Sequence, residues 1–265
     1  MNFVSNIGGA WDDLIGGFKR YPLWRFMADR ELKLRYARSF LGPLWITLTM
    51  GFWVAGLTLL YGGLFGAPLR EVAPFITLGV IAWNFLTAVM MEGCGSFLNA
   101  KGYLMQSRMP LTTFVWLVFY RNLLVLGHNM TIFVLMIFIF QLWPNVNWLW
   151  ALAGWPIMFV ASFGFAMLLS VTAVRFRDVT PLINSVMTVG FFLTPVMWRP
   201  ADLMKNQFIA TYNPFAHLIE VFREPLLGQA PSHYSLIFAL VTALILFIAG
   251  MIAIATSRKN IMFWL

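Results

Sequence analysis

Charged residues are scarce in this chain of 265 residues. Asp, Glu, Lys and Arg make up 11% of it, whereas hydrophobic residues make up 60% and the mean hydropathy is +0.78. Soluble globular domains carry roughly 25% charged residues. The composition therefore excludes an ordinary soluble domain and predicts a polytopic membrane protein.

The sequence also lacks the motifs that carry common enzyme chemistry. It has no HExxH, no paired-Asp motif, no Cys/His cluster with metal-ligand spacing and no nucleophile elbow, so we predict no catalytic residue and no metal site. It lacks the GxxxxGK[ST] loop that cradles the phosphates of ATP. We therefore expect no cofactor in this chain, and any use of ATP must come from another polypeptide.

Cysteine is nearly absent. Cys94, the single cysteine, cannot form an intramolecular disulfide, and it lies in a hydrophobic run where a small apolar packing role is expected. A cleavable signal peptide is not apparent in Met1 to Gly17, which lacks a basic start followed by an apolar core. We expect insertion to depend on the internal spans.

The chain contains six long hydrophobic runs. Each meets or approaches a length of about 20 residues, which is what a helix needs to cross a hydrocarbon core of about 30 Å. Helices are expected because lipid offers the backbone no hydrogen-bond partners and the period-two alternation of a barrel is missing. The predicted fold is an all-α membrane protein, with a cytoplasmic segment 1–42 that contains an interfacial helix and a six-span domain 43–265. The predicted spans are Pro43 to Phe65, Ala73 to Gly95, Leu111 to Leu142, Trp148 to Val174, Pro181 to Trp198 and Ser235 to Thr256.

An excess of Lys and Arg gives the chain a formal net charge of +8. In a membrane protein this excess more often records orientation than nucleic-acid binding, so we expect no nucleic-acid partner. Seven basic residues precede the first predicted span, whereas the third connection, Trp143 to Asn147, carries no charge. The positive-inside rule then predicts that both termini are cytoplasmic.

The stretch RELKLRYARSFLGPLW, residues 30–45, passes from dense positive charge through a Gly-Pro break into the first span. Residues placed at about 100° intervals put six apolar side chains on one stripe and most of the basic ones elsewhere. This pattern predicts an amphipathic helix along the cytoplasmic membrane surface, ended by Gly42-Pro43. Its cations would either enforce topology and bind bulk anionic lipid, or bind a specific lipid headgroup. The apolar stripe is Leu23, Phe26, Met27, Leu34, Ala37 and Leu41.

The connection Arg199 to Tyr234, between spans five and six, is too apolar for a simple outer loop. Apolar residues follow at helical spacing after Asn213, which can cap a helix, and Pro214, which can take the first helical position. We expect Pro225 to limit this helix. Because it is too short to span, it would be either a plain amphipathic surface helix or a re-entrant helix that closes the outer end of a pathway. Its apolar positions are Phe215, Leu218, Ile219, Phe222 and Leu226.

Few ionisable residues lie within the spans, where their burial is costly. Glu92 and Arg121 lie at similar inferred depth and are expected to pair between helices for structural reasons. His128 is expected to be a hydrogen-bonded packing residue. Aromatic side chains are the other candidates for function, because their rings stack on the C–H faces of sugars and could let a glycan slide along them. Any single ring could instead face lipid or pack between helices.

Taken in order, several stretches resemble the permease subunit of ABC-2-type polysaccharide exporters, the group that moves O-antigen, capsule or teichoic-acid chains, and are most similar to the O-antigen permeases. They are RELKLRYARSFLGPLW, the inner turn ending QSRMP, VRFRDV after span four, and TPVMW followed by YNPFAHLIEVFREPLL. The resemblance implies a homodimer in the bacterial inner membrane. It also implies two nucleotide-binding subunits, which bind the ATP and Mg.

The resemblance assigns four groups of residues by position. The lipid headgroup would meet the entrance residues Arg30, Lys33, Arg35 and Arg38. The channel would be lined by Trp45, Phe52, Trp53, Phe191, Phe192 and Trp198. Coupling to the ATPase would involve Asn99, Lys101, Tyr103, Gln106, Arg108 and Pro110. The outer gate, within Asp202 to Leu227, would include Tyr212, Asn213, Pro214, Phe215, Glu220 and Arg223.

These features predict a non-enzymatic permease that moves a lipid-linked polysaccharide from cytoplasm to periplasm through a dimeric channel. The substrate expected from the resemblance is O-antigen on polyprenyl diphosphate. The competing hypothesis is a membrane-embedded enzyme that acts on polyprenyl-linked sugars. That alternative requires Glu92 and His128 to be catalytic.

Overall fold

The computed structural model describes residues 3–35, 37–66, 68–107, 109–200 and 208–265, and within these ranges the secondary structure is entirely helical. Arg108 and residues 201–207, which belong to the predicted coupling and gate segments, lie outside the described residues. The helices are α1 Phe3–Lys19, α2 Tyr21–Arg35, α3 Leu44–Phe65, α4 Leu69–Asn99, α5 Lys101–Gln106, α6 Thr112–Phe140, a 3-10 helix Val146–Trp150, α7 Ala151–Arg175, α8 Val179–Leu193, α9 Phe208–Thr211, α10 Pro214–Leu226, α11 His233–Ser257 and α12 Ile261–Trp264.

Five of the predicted spans are helices long and apolar enough to cross a membrane: α3, α4, α6, α7 and α11. The fifth predicted span is different. Its helix, α8, has 15 residues and ends at Leu193, whereas the prediction extended to Trp198. At 1.5 Å per residue it is about 22 Å long, short of the about 30 Å hydrocarbon core. The helix ends where Pro195 disfavours a helical conformation at Thr194.

The core of the bundle is formed by α4 and α7. The apolar part of α4 is 78% buried and that of α7 is 67% buried, whereas α3, α6 and α11 each bury 22% or less. Small residues permit the close packing: a Cβ on Gly93 of α4 would lie 3.0 Å from the Cα of Ala166 on α7. Small residues at such contacts are typical of membrane helices. The other helices surround this pair.

Helix α2 differs from its predicted amphipathic arrangement. It ends at Arg35, so Ala37 and Leu41 lie beyond it, and Phe26 and Leu34 of the predicted stripe are exposed. The buried side chains are instead Trp24, Ala28 and Leu32. The packed face is set by α6, because Trp24 stacks on Trp116 with ring centroids 6.2 Å apart. The face of α2 that packs on the bundle is therefore a different one from the predicted lipid-facing stripe, and the helix ends before the last two residues of that stripe.

Helix α10 begins as predicted, because the Asn213 side chain accepts hydrogen bonds from the N–H groups of Phe215 and Ala216. It is not a plain amphipathic surface helix. Nine of its 13 residues are buried, including His217 and Arg223, so burial extends beyond the apolar face. Pro225 lies in the last turn and the helix ends one residue later, at Leu226, as expected of a proline that limits its extension. Packing on α4, α7 and α11 makes α10 part of the bundle.

Side-chain contacts define two ends of the bundle. At one, called the α5 end, α5 lies beside the chain's last described residues, since Lys101 Nζ donates to the backbone oxygen of Leu265. At the other, called the α10 end, Asn145 Nδ2 donates to the backbone oxygen of Gly228 at 2.9 Å. The predicted coupling and entrance residues lie toward the first end, and the predicted gate residues lie at the second.

Candidate functional site

Arg223 is the central charged side chain of the α10 end. It is 3% exposed, and its Cζ lies 3.7 Å from the centre of the Phe75 ring. Its Nη1 donates to the backbone oxygen of Pro195 at 3.0 Å, and its Nε donates to Glu224 Oε1 at 3.2 Å. Burial lowers the pKa of the Arg223 guanidinium, and the adjacent Glu224 partly offsets this effect. One side chain therefore links α10, α4 and the turn after α8.

Asn213 makes a second link between α10 and the end of α8. Its Oδ1 caps α10 by accepting from the Phe215 N–H at 2.9 Å, while its Nδ2 donates to Thr194 Oγ1 at 2.9 Å. The Phe215 ring packs edge-on against Trp83, with centroids 5.5 Å apart. Of the predicted gate residues, Tyr212 is exposed. The capping amide thus also sets the position of the turn at Thr194.

Glu220 joins α10 to the start of α11. Its carboxylate accepts from the Ser232 N–H at 3.1 Å and from the Ser235 hydroxyl at 2.7 Å. His217 lies in the same network, with Nδ1 at 2.8 Å from Ser235 Oγ and Nε2 at 2.9 Å from the backbone oxygen of Thr211. His217 was not predicted as a site residue, because it lies on the side of α10 opposite the apolar positions, where burial leaves no signal in the sequence.

A cavity of about 760 Å³ opens beside these residues. Its walls combine both signs of charge with aromatic rings. The cavity joins the predicted gate residues to the start of α4, so the charged side chains of three segments meet there. They are Arg70 and Glu71 of α4, Arg199 after α8, and Glu220, Arg223 and Glu224 of α10. The uncharged Tyr234 of α11 lines the same cavity.

At the α5 end, Arg121 of α6 lies between two carboxylates. Its Nη2 is 2.8 Å from Glu92 Oε2, and its Nη1 contacts Glu31 of α2. Asn122 Nδ2 also donates to Glu92 Oε2 at 2.6 Å. The expected pairing of Glu92 with Arg121 is confirmed. Glu31 was not predicted to take part, and because of it the pair also fixes α2 to the bundle.

The four predicted entrance residues do not share one environment. Arg30 and Lys33 are exposed on α2, and Arg38 is exposed in the turn after it. Arg35 is half exposed, and its Nη2 lies 3.7 Å from Glu92 Oε1. Arg35 therefore borders the Arg121 cluster, whereas the other three cations face outward.

The predicted coupling residues form a short exposed segment. Asn99 ends α4, and Lys101, Tyr103 and Gln106 are exposed on α5. Tyr103 packs on Phe114 with ring centroids 6.1 Å apart. Pro110 is half-buried just before α6. Three of the described coupling residues are therefore exposed on α5.

The predicted channel aromatics separate into two groups. Trp45, Phe52 and Trp53 of α3 and Phe192 of α8 are exposed. Phe191 packs on Trp83 with centroids 6.0 Å apart, and Trp198 Nε1 donates to the backbone oxygen of Phe192 at 3.1 Å. The structure thus brings Trp198 and Phe192 together at the end of α8.

The model of the ABC-2 type transporter family matches residues 22–227, which is most of the chain and includes α2 through α10. The chain belongs to the ABC-2 type transporter family. Its membership, together with the five apolar helices long enough to cross a membrane, makes it a multi-pass membrane permease subunit.

Several similar proteins carry the name of an export permease. The chain is 24% identical over 251 residues to an O-antigen export system permease protein RfbA of Klebsiella pneumoniae, covering 87% of this chain and 90% of that protein. A second such Klebsiella pneumoniae protein is 23% identical over 250 residues, with the same coverage of each chain. An RfbA of Myxococcus xanthus is 24% identical over 208 residues, covering 74% and 77%.

Proposed function

We propose that this ABC-2 permease exports a lipid-linked polysaccharide, O-antigen on polyprenyl diphosphate, from the cytoplasm to the periplasm of a bacterium. Two copies would form a channel in the inner membrane, and two separate ATPase subunits would bind ATP and Mg and drive transport. The names of its relatives support the substrate class. The lack of a P-loop in this sequence supports a separate ATPase.

The observation that carries this proposal is the exposure of α3 and α8, both of which pack on the central helix α4. Met187 is the one buried side chain of α8, while Asn184, Ser185 and Thr188 are exposed on the same apolar helix. Polar side chains facing hydrocarbon are unfavourable, and membrane helices satisfy them against other helices or water. The Ser185 and Thr188 hydroxyls donate to the backbone oxygens of Pro181 and Asn184 on their own helix. A second copy that places this face around a shared path would give the Asn184 amide a polar environment as well, and would make α8 the sixth crossing.

The exposed aromatics fit a glycan path in such a dimer. Trp45, Phe52 and Trp53 of α3 and Phe192 of α8 present ring faces or edges outside the protomer. Aromatic faces stack on the apolar C–H faces of sugars without fixing their hydroxyls. A chain of sugars could therefore slide past these side chains without a tight binding site.

At the α5 end, the exposed cations of α2 and of the turn after it would bind the lipid headgroup, and the coupling segment would bind the ATPase. Arg30, Lys33 and Arg38 are exposed where a diphosphate headgroup would need cations. Asn99 to Pro110 would receive the ATPase. Both termini would lie on this cytoplasmic side, in agreement with the positive-inside rule. Helix α2 would lie at the interface, with Phe26 and Leu34 toward lipid.

At the α10 end, α10 would act as a re-entrant outer gate. Arg223 and Asn213 connect it to the turn after α8, so a displacement of α8 would reach the gate directly. Glu220 connects the same helix to α11. The gate would therefore open and close with the helix that lines the channel.

The enzyme alternative is disfavoured by the positions of its two required residues. Glu92 is bonded to Arg121 and Asn122, and His128 Nδ1 lies 2.8 Å from the backbone oxygen of Leu124. Seven residues separate Arg121 from His128, which is about 10 Å along α6. Both side chains thus have hydrogen-bond partners within the bundle, and the Arg121 position that Glu92 contacts lies about two turns from His128, which favours structural roles for them.

The proposal is tested by deleting the genes for this chain and for its candidate ATPase and restoring them singly and together. We expect surface polysaccharide to return only with both proteins, and the permease to co-purify with the ATPase. An ATPase with its P-loop lysine replaced is the matched control and should support assembly without export. A permease that never binds an ATPase, or that turns over a lipid-linked sugar donor without ATP, contradicts the proposal.

A further inference from the structure

Asp13 lies on α1, a helix for which the sequence predicts no function. Its carboxylate accepts hydrogen bonds from the Leu111 N–H at 3.0 Å and the Thr112 N–H at 2.9 Å. The Thr112 hydroxyl donates to the Asp13 backbone oxygen at 2.6 Å. The first N–H groups of a helix have no partner within it, and Leu111 offers α6 no side-chain cap. A residue of α1 therefore closes the start of α6.

The face of α1 that carries Asp13 is shaped for this contact. Gly16 and Gly17 lie three and four residues after Asp13, on the same side of the helix. A Cβ on Gly17 would clash with Thr112, and one on Gly16 would lie 3.1 Å from Pro110 Cγ. The lack of side chains at these two positions lets the backbone of α1 approach residues 110–112.

The rest of α1 is fixed to the bundle by other contacts. The Phe18 ring packs on Trp116 of α6 with centroids 5.2 Å apart, and the Trp11 ring lies 6.3 Å from Phe247 of α11. The Arg258 guanidinium at the end of α11 lies where a Cβ of Gly9 would be. Helix α1 thus contacts both α6 and α11 along its length.

The segment between α5 and α6 is not a continuous helix. Ser107 has extended backbone angles, which interrupt the helical hydrogen-bond pattern between α5 and α6. The α6 side of this segment is held by Asp13, and Lys101 at the start of α5 contacts the backbone oxygen of Leu265. A displacement of α5 can reach α6 through the segment and through the Tyr103–Phe114 ring contact, and the Asp13 hydrogen bonds link the segment to α1.

We propose that Asp13 is a positioning residue that fixes the exit of the coupling segment to α1, so that movement of α5 is transmitted to α6 and α11. This inference rests on the proposed contact of Asn99 to Pro110 with the ATPase. Without the Asp13 contact, the connection around Ser107 would absorb the movement, and ATP hydrolysis would no longer be matched to export.

The first test compares Asp13→Asn with Asp12→Asn in the complete transporter. Asp12 is the adjacent carboxylate, exposed on α1, and its substitution removes the same charge. For Asp13→Asn we expect unchanged permease abundance, ATPase binding and ATP hydrolysis, but about fivefold or more loss of surface polysaccharide, the lower end of typical coupling between sites. Asp12→Asn should match the wild type. If Asp13→Asn does not accumulate, Asp13→Glu replaces it, because it retains the charge and displaces the carboxylate by one methylene.

The second test replaces the hydrogen bonds between Asp13 and the start of α6 by a disulfide. A Cβ on Gly16 would lie 3.7 Å from the Cβ of Pro110. This separation is within the about 3.5–4.5 Å typical of disulfides. In inverted membrane vesicles, the variant Asp13→Asn/Gly16→Cys/Pro110→Cys should export more after oxidation than after reduction, since the bond restores the attachment without restoring the cap. Because Pro110 is a predicted coupling residue, Gly16→Cys/Pro110→Cys with Asp13 intact is the reference that measures what the loss of Pro110 costs by itself.

The outcomes separate this inference from the proposed function. Normal export by Asp13→Asn, a loss of export in proportion to a loss of permease, or a disulfide that forms without restoring export would each overturn the positioning role. A wild-type chain that binds no ATPase would instead overturn the proposed function on which the role rests.

Discussion

The Nη1 of Arg223 donates a hydrogen bond to the backbone oxygen of Pro195 at 3.0 Å, which joins the middle of α10 to the turn that ends α8. That turn is also bonded to Asn213, the cap of α10. Helix α8, which is shorter than the five membrane-length helices, and the buried helix α10 are therefore connected twice. The two helices are expected to move together.

Arg223→Met should destabilise the protein strongly. The substitution leaves Glu224 and the Pro195 carbonyl without their partner, and breaking a buried charged pair costs about 3–5 kcal/mol. Thermal unfolding in detergent should show a clear decrease in midpoint. Arg70→Met is the control, because Arg70 is exposed on the first turn of α4. Equal midpoints for the two variants would contradict this account of Arg223.

Two substitutions at Asn213 should separate its two contacts. Asn213→Ala removes both the cap of α10 and the bond to Thr194, whereas Asn213→Ser keeps a capping oxygen and removes the amide donor. We expect Asn213→Ala to be the less stable variant by about 1 kcal/mol, the usual value of a cap. Chemical denaturation of the two variants measures the difference. No difference would mean that the cap contributes nothing here.

Gly79→Ala and Gly127→Ala should change stability in opposite directions. A Cβ on Gly79 would clash with the backbone oxygen of Val196, and overpacking of this kind costs about 1–3 kcal/mol. Gly127 is exposed in the middle of α6 with no atom near its Cβ position, so alanine should stabilise the helix by about 0.5–1 kcal/mol. Thermal midpoints in detergent test both signs, and a stable Gly79→Ala would refute the close approach.

Arg35→Ala and Arg38→Ala should each permit assembly and reduce export. The Arg35 contact with Glu92 is half exposed, and such pairs contribute about 0–1 kcal/mol, so the fold should survive. Surface polysaccharide and ATPase co-purification are measured together. Arg25→Ala, an exposed position on the same helix, is the control for general loss of charge. Normal polysaccharide with both substitutions would exclude the headgroup role.

The Glu92–Arg121 pair was predictable because both residues lie in apolar segments at similar depth, where an unpaired charge is costly. The third member of that cluster, Glu31, was not predictable. It lies in a basic surface segment, and its contact with Arg121 depends on the angle at which α2 packs on α6. The depth of a residue in the membrane can be estimated by counting along an apolar helix. The direction in which a surface helix packs cannot be read from the sequence.

The sequence by itself determined the helical class, the positions of five membrane-length helices and the cap of α10. These features depend on local properties: the length of an apolar run, and an Asn-Pro pair placed before a helical pattern. The tertiary structure alone decided that Trp24, Ala28 and Leu32 form the packed face of α2, that α10 is buried, and that Asp13 caps a helix beginning 99 residues later. Each of these depends on contacts between distant segments, whose energies are set by packing geometry and leave no periodic signal in the chain.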